Sequence, residues 1–287
     1  MTPTGMETDP DLKALLGLAV DAAVEAGKAV LEVYSSDFSV EHKPDASPLT
    51  LADKRSHEII SRRLSEHAAG RLLPLLSEEG RNIPYAERKA WEHFWLVDPL
   101  DGTKEFVKRN GEFTVNIALI RRTEPVLGVI YVPVRDMLYF AAEGLGAYRL
   151  DSASTCSKDA APLLKGGSRL PAAHAPSRPF TVVASRSHLS KETEDYLREL
   201  KERHGDMAVI SAGSSLKFCL IAEDLADVYP RFAPTMEWDT GAGQAIVEEA
   251  DGVMVDAGQR TRRMGYNKQE LTNGWFIAAR KNRVELY

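Results

Sequence analysis

Three short stretches place carboxylates where apolar runs stop. In Trp95-Leu96-Val97-Asp98-Pro99-Leu100-Asp101-Gly102-Thr103 an expected strand ends in two aspartates three residues apart. Pro99 fixes φ and offers no N–H, while Gly102 permits a tight turn, so both carboxylates and the Leu100 carbonyl can converge on one point. Thr103 then opens a helix-like segment whose free N–H groups face the same point. Two carboxylates and a carbonyl form an all-oxygen donor set that suits a hard cation such as Mg²⁺. A second apolar run, Leu72 to Leu76, leads into Ser77-Glu78-Glu79-Gly80, and Trp238-Asp239 stands at the start of an expected helix rich in small residues. Each stretch alone has an ordinary reading: Asp-Pro and Asp-Gly pairs make turns, paired glutamates sit in solvent, and an aspartate caps a helix.

The elements that must position these groups follow from periodicity. Leu15, Leu16, Ala19, Ala23, Ala26, Val30 and Val33 recur at helical spacing and predict a helix over Leu12 to Tyr34, with Asp9 or Asp11 as N-cap. A second helix fits Leu51 to His67, with Leu51, Ile59, Ile60 and Leu64 as its stripe. Strands are expected at Leu72 to Leu76, Trp95 to Val97, Phe113 to Ile120, Gly128 to Val132 and Met137 to Ala141. Asp151 to Pro179, rich in Ala, Ser, Gly and Pro, predicts a long surface loop and a boundary between an N-terminal α+β part (1–179) and a C-terminal α/β part (180–287). Beyond it, strands at Phe180 to Ala184, Met207 to Ile210, Ala226 to Tyr229, Gly252 to Val255 and Trp275 to Ala279 are expected. Helices alternate with them: one capped by Ser190 and stopped at Gly205, one over Ser214 to Leu225, and one over Thr240 to Ala250. This alternation is the α/β signature.

Composition narrows the function. The 287 residues carry 36 Lys and Arg against 42 Asp and Glu, a net charge of −6 that argues against sequence-independent nucleic-acid binding. Any phosphorylated ligand therefore needs local cations, a metal or backbone N–H groups. Two cysteines, Cys156 and Cys219, are too few for a disulfide framework and fit a reducing compartment. No apolar run approaches the ~20 residues of a membrane span, and the acidic start does not resemble a signal peptide. A cytoplasmic protein, monomer or homodimer, is expected, with a peripheral contact to the inner membrane left open.

The combination Ser77-Glu78-Glu79, Asp98-Pro99-Leu100-Asp101-Gly102-Thr103 and Trp238-Asp239-Thr240-Gly241-Ala242-Gly243 resembles the three signatures of the inositol monophosphatase superfamily of Mg²⁺-dependent, Li⁺-sensitive phosphatases. Within it, the stretch from Lys104 to Thr114, together with Ser185-Arg186-Ser187-His188, Gly213-Ser214-Ser215-Leu216-Lys217-Phe218-Cys219 and Tyr229-Pro230-Arg231-Phe232, is similar to the CysQ-type 3′(2′),5′-bisphosphate nucleotidases. The resemblance runs from about Leu12 to the C-terminus. Two departures stand out: the longer Asp151 to Pro179 segment, and Gly241 where the family usually has Ala.

The resemblance implies a layered αβαβα sandwich and two or three Mg²⁺ ions. It would give one ion Glu78, Asp98 and the Leu100 carbonyl, and a second Asp98, Asp101 and Asp239. Asp53, in Thr50-Leu51-Ala52-Asp53, would work with Thr103 on the attacking water, with Glu79 in support; read locally, Asp53 is a surface helix residue. Gly102, Thr103, Ser185, His188, Ser214, Ser215, Lys217 and Arg231 would contact the substrate, Lys217 and Arg231 facing a 5′-phosphate. The implied reaction removes the 3′-phosphate of 3′-phosphoadenosine 5′-phosphate, and the sulfated analogue is a further candidate. An inositol monophosphatase or fructose-1,6-bisphosphatase would use the same metal chemistry. A non-enzymatic phospholigand sensor would be expected to have lost a metal carboxylate, and none is lost.

Overall fold

The computed structural model describes residues 10–42, 48–67, 70–172, 178–184 and 190–281. Helix α1 spans Leu12–Tyr34, and the Asp11 carboxylate caps it by accepting the Lys13 and Ala14 N–H groups at 3.0 and 3.4 Å. A small antiparallel pair, β1 (Val40–His42) and β2 (Pro48–Thr50), precedes α2 (Leu51–Glu66). Next come β3 (Leu75–Ser77), α3 (Tyr85–Arg88), β4 (His93–Asp101), α4 (Thr103–Val107), β5 (Thr114–Arg121), β6 (Glu124–Val132), β7 (Met137–Ala142), β8 (Gly146–Asp151), α5 (Ala160–Gly166) and β9 (Ser168–Leu170). Strands β3 to β9 lie side by side in chain order as one seven-stranded sheet, with β3 parallel to β4 and the remaining neighbours antiparallel.

The second half contributes β10 (Phe180–Ala184), α6 (Lys191–His204), β11 (Met207–Ser211), α7 (Leu216–Ala222), β12 (Val228–Arg231), β13 (Thr235–Met236), α8 (Glu237–Glu249), β14 (Gly252–Asp256), β15 (Thr272–Asn273) and β16 (Phe276–Arg280). Five of these strands form a second sheet in the order β11-β10-β12-β16-β14, and β13 pairs with β15.

Burial arranges the elements in five layers. Leu15 and Ala19 of α1 and Ile60 and Leu64 of α2 pack on Trp95, Val97, Ile117 and Val129, covering one face of the larger sheet. Against its other face, Leu216 and Cys219 of α7 and Ala242 and Ile246 of α8 meet Leu96, Ala118 and Ile130. The opposite sides of those two helices, through Phe218, Ile221 and Val247, pack on Val183, Tyr229 and Phe276 of the smaller sheet. Tyr196 and Leu200 of α6 close the far side on Val182, Val228 and Ile277. This is the expected αβαβα sandwich of the inositol monophosphatase type. Among the described residues no helix is long and apolar enough to cross a membrane.

Several expectations need correction. The Asp151 to Pro179 segment is not one long loop: it holds a 3₁₀ turn at Ala153–Thr155, α5 and β9, the outermost strand of the larger sheet. The segment packs closely on α1, where Gly17 makes room for it: the Lys158 carbonyl lies 2.2 Å from where a Cβ on Gly17 would stand. Pro162 is tolerated because it falls in the first turn of α5, where an N–H has no helical acceptor. Strand β3 begins at Leu75, leaving Leu72 83% exposed, and the strand Gly146–Asp151 was not expected. Helix α8 begins at Glu237, ahead of Thr240, and α7 begins only at Leu216 because Ser214 has a left-handed φ of 41°.

Candidate active site

Both aspartates belong to β4 itself, Asp98 inside it and Asp101 as its last residue. Asp98 pairs with Asn116 and Asp101 with Thr114, three steps on β4 against two on β5, so one extra residue bulges and re-aims the strand end. The Leu100 N–H donates to Asp98 Oδ1 at 3.0 Å, and the Ser56 hydroxyl of α2 donates to the Pro99 carbonyl at 2.6 Å. Gly102 then adopts φ 89°, where a side chain would be strained and its Cβ would stand 3.0 Å from Ser214 Cβ.

Asp53 is the third residue of α2, and the helix turns it inward. Its Oδ2 accepts the Thr50 N–H at 2.8 Å and the Thr50 hydroxyl at 2.7 Å, closing a capping box. Its Oδ1 accepts the Thr103 hydroxyl at 3.1 Å, and that hydroxyl lies 3.3 Å from the Leu100 carbonyl. Asp53 is therefore buried against the β4 turn, where its local sequence suggested a surface position. The Glu78 N–H donates to the Val97 carbonyl at 3.1 Å, which sets the Ser77-Glu78-Glu79 turn beside the end of β4. Asp239 is likewise third in its helix rather than ahead of it, and its Oδ2 accepts the Met236 N–H at 2.8 Å.

These carboxylates share one electrostatic environment. Burial pushes Asp98 well above the usual carboxylate range, and the charges of Glu78, Asp101 and Asp239 push it further. Burial also raises Asp239, with Asp101 and Glu78 adding to it, and raises Asp53 with help from Glu79. Mutually repelling carboxylates withdrawn from water are costly unless a cation joins them. Among the described residues no three His, Cys, Asp or Glu side chains already converge as a metal site. The candidate donors come from separate segments and are all oxygen, the donor chemistry of a hard cation.

This has a consequence for stability. A carboxyl with a raised folded-state pKa stabilises the protein fully below its unfolded value, and that contribution is lost as pH rises through the folded value. Mg²⁺ should therefore raise the melting temperature of chelator-treated protein at pH 8 by several degrees and at pH 5 by much less. Melts at both pH values with and without Mg²⁺ check this; equal shifts would mean that these aspartates do not hold the ion.

A cavity of about 400 Å³ opens beside Asp101 and Asp239, and Gly102, Ser214, Ser215, Lys217 and Arg231 all line it. Lys104, Lys108, Tyr229 and Phe276 also stand in its wall, and sequence reasoning assigned none of them an individual role. Lys217 is only 8% exposed, and its ammonium donates to the Ser214 and Ala212 carbonyls at 2.7 and 3.2 Å. Burial lowers it to about 8, and the Asp101 charge opposes that shift. Arg231 Nε, by contrast, is buried with no hydrogen-bond partner, and its Nη2 reaches only the Pro234 carbonyl at 3.5 Å. The buried Ser215 hydroxyl donates to Asp101 Oδ2 at 2.7 Å and lies 3.1 Å from the Asp239 carbonyl. Ser185 and His188 lie outside the described residues.

Sequence reasoning also missed Glu112, whose Oε2 accepts the Gly213 N–H at 2.9 Å, and the pair Thr114 and Asn116. The signal for the pair was available: two polar residues, two apart, at the buried end of an otherwise apolar strand.

Comparison with known proteins agrees with this arrangement. The inositol monophosphatase family profile matches residues 11–285. The 3′(2′),5′-bisphosphate nucleotidase CysQ of Salmonella typhimurium is 45% identical over 230 residues, 79% of this chain and 85% of that protein. The crystal structure of CysQ from Bacteroides thetaiotaomicron superposes with a TM-score of 0.85 at 48% identity, covering 94% of this chain and 98% of that one. The extragenic suppressor protein suhB of Bartonella henselae shares the fold at 26% identity and a TM-score of 0.70, covering 95% and 96% of the two chains. With the motifs, the layer order and nearly the whole length in agreement, the chain belongs to the inositol monophosphatase family, whose enzymes are metal-dependent.

Proposed function

We propose that this chain is a 3′(2′),5′-bisphosphate nucleotidase that removes the 3′-phosphate of 3′-phosphoadenosine 5′-phosphate, leaving AMP and phosphate, and that the sulfated analogue is a second substrate. The observation that carries this reading is the unpartnered Arg231 Nε in a cavity that runs into the carboxylate cluster. One end of the cavity suits a cation-bridged phosphoryl group and the other suits a second anion. The relatives at 45% and 48% identity support the same reaction class.

Glu78, Asp98 and the Leu100 carbonyl would hold one Mg²⁺, and Asp98, Asp101 and Asp239 a second, with Glu79 supporting the network or a third ion. Bound there, the metal supplies charge that acidifies an attacking water and neutralises the phosphoryl oxygens. The chain's own residues do the rest. The Thr103 hydroxyl donates to Asp53 Oδ1, so its oxygen would accept a hydrogen bond from the attacking water, aim it in line, and take the water's proton as its own passes to the Asp53 carboxylate. Gly102, without a side chain, lets the backbone approach the phosphoryl group. Lys217 holds the Ser214 and Ala212 carbonyls and so shapes the loop under the nucleotide, while Arg231 offers Nε and a planar fork to the 5′-phosphate.

Phosphate release with Mg²⁺ from 3′-phosphoadenosine 5′-phosphate, inositol 1-phosphate and fructose 1,6-bisphosphate tests the assignment. The nucleotide should exceed the other two in kcat/KM by at least about tenfold, the effect of one charge-assisted contact. Li⁺ should inhibit at concentrations where Na⁺ does not. A preference for inositol 1-phosphate would replace the substrate while leaving the phosphatase chemistry in place.

A further inference from the structure

Asn116 has no assigned role in the reaction and lines no part of the cavity, yet it is 1% exposed and every polar atom of its side chain is engaged. Its Oδ1 accepts the Thr114 hydroxyl at 2.9 Å, which fixes which way the amide points. Its Nδ2 then donates to Ser215 Oγ at 2.9 Å and to Asp101 Oδ2 at 3.3 Å. Ser215 passes the bond on, its hydroxyl donating to the same Asp101 oxygen at 2.7 Å. At the other end Ser214 Oγ lies 3.2 Å from Thr114 Oγ1. With Ser214 donating, each hydroxyl in this chain has an acceptor for its single proton, Ser215 facing Asp101 Oδ2 at 2.7 Å with the Asp239 carbonyl farther away at 3.1 Å.

We infer that Asn116 and Ser215 act as a pair of positioning residues that occupy one oxygen of Asp101, leave the other for the cation, and tie the cation site to the loop beneath the substrate. The inference rests on the metal-dependent reading above. The β4 bulge supplies the geometric reason. It places Asp101 opposite Thr114, where an unbroken register from the Asp98–Asn116 pair would have set it opposite Phe113, and so brings its carboxylate within reach of donors from β5 and the start of α7. Alternating strand residues point to one face, so Thr114 and Asn116 reach the same side from one rigid element. Partners behind a metal ligand typically change metal affinity or activity by about 10- to 100-fold when removed.

Ser215→Ala and Asn116→Ala, singly and together, test this by calorimetric titration with Mg²⁺ and by the Mg²⁺ dependence of phosphate release. Each single variant should weaken Mg²⁺ binding about tenfold or more by both measures, and Asn116→Ala, whose side chain lines no part of the cavity, should change KM for the nucleotide at saturating Mg²⁺ less than about twofold. Because the pair acts on one oxygen, the double variant should lose little more than the worse single one. Unchanged Mg²⁺ affinity in Ser215→Ala, which removes a single oxygen atom, overturns the inference even if Asn116→Ala does not fold. A shift in KM without a shift in Mg²⁺ affinity overturns it too, and assigns the pair to the substrate. If the unaltered protein neither binds Mg²⁺ nor needs it for phosphate release, the metal-dependent reading fails instead.

Discussion

Asp98→Asn should lower turnover by several orders of magnitude and leave the fold intact. In the proposed arrangement Asp98 would serve both cations, so the substitution would remove a donor charge from each at once. The position is 2% exposed and surrounded by the charges of Glu78, Asp101 and Asp239, so nothing nearby can take over that charge. The amide has almost the same shape as the carboxyl, and its oxygen can still accept the Leu100 N–H that shapes the turn. The same change relieves repulsion in the metal-free state, so its melting temperature in chelator should rise while activity is lost. Phosphate release and melting curves on one preparation check both halves. Near-normal turnover would remove Asp98 from the metal site, and a collapsed fold would make its role structural.

Arg231→Ala should reduce kcat/KM for 3′-phosphoadenosine 5′-phosphate by about ten- to a hundredfold, because a hydrogen bond to a charged group contributes roughly 1.5 to 3 kcal/mol. The loss should fall on KM. It should be nearly absent for 3′-AMP, which offers no 5′-phosphate. Among the described residues the buried Nε has no partner, and the substitution gives up only the 3.5 Å contact of Nη2 with the Pro234 carbonyl. Lys217→Ala should act in the same direction but less strongly, since its ammonium is already committed to two backbone carbonyls. Equal losses on the bisphosphate and the monophosphate would mean that Arg231 serves the fold or the metal site.

Much of this arrangement was legible in the chain, and for stated reasons. Helix α1 runs over the residues its apolar spacing marks, because one face of a long helix must be buried and repeats visibly. The carboxylate motifs were legible because apolar strands seldom lead into clustered acids without a use for them. The bulge in β4 was not legible, since it exists only in the pairing with β5. The Asp151 to Pro179 segment misled because Ala, Gly and Pro are shared by loops and by tightly packed helices, and only contact with Gly17 of α1 distinguishes them. The substrate positions owed most to family resemblance. No local pattern distinguishes Lys217, turned toward its own backbone, from Arg231, turned toward the cavity.

Helix α8 packs on both sheets, and its first turn delivers Asp239. The catalytic centre is therefore stitched across the seam between the two layers rather than carried by either. Local fraying at the far edge strand, β9, leaves it whole, whereas parting of the layers removes Asp239 from Asp98 and Asp101 in one step. Loss of activity on heating and loss of the native core are then the same cooperative event, and any cation bridging that seam fastens the two layers together as well as serving the reaction.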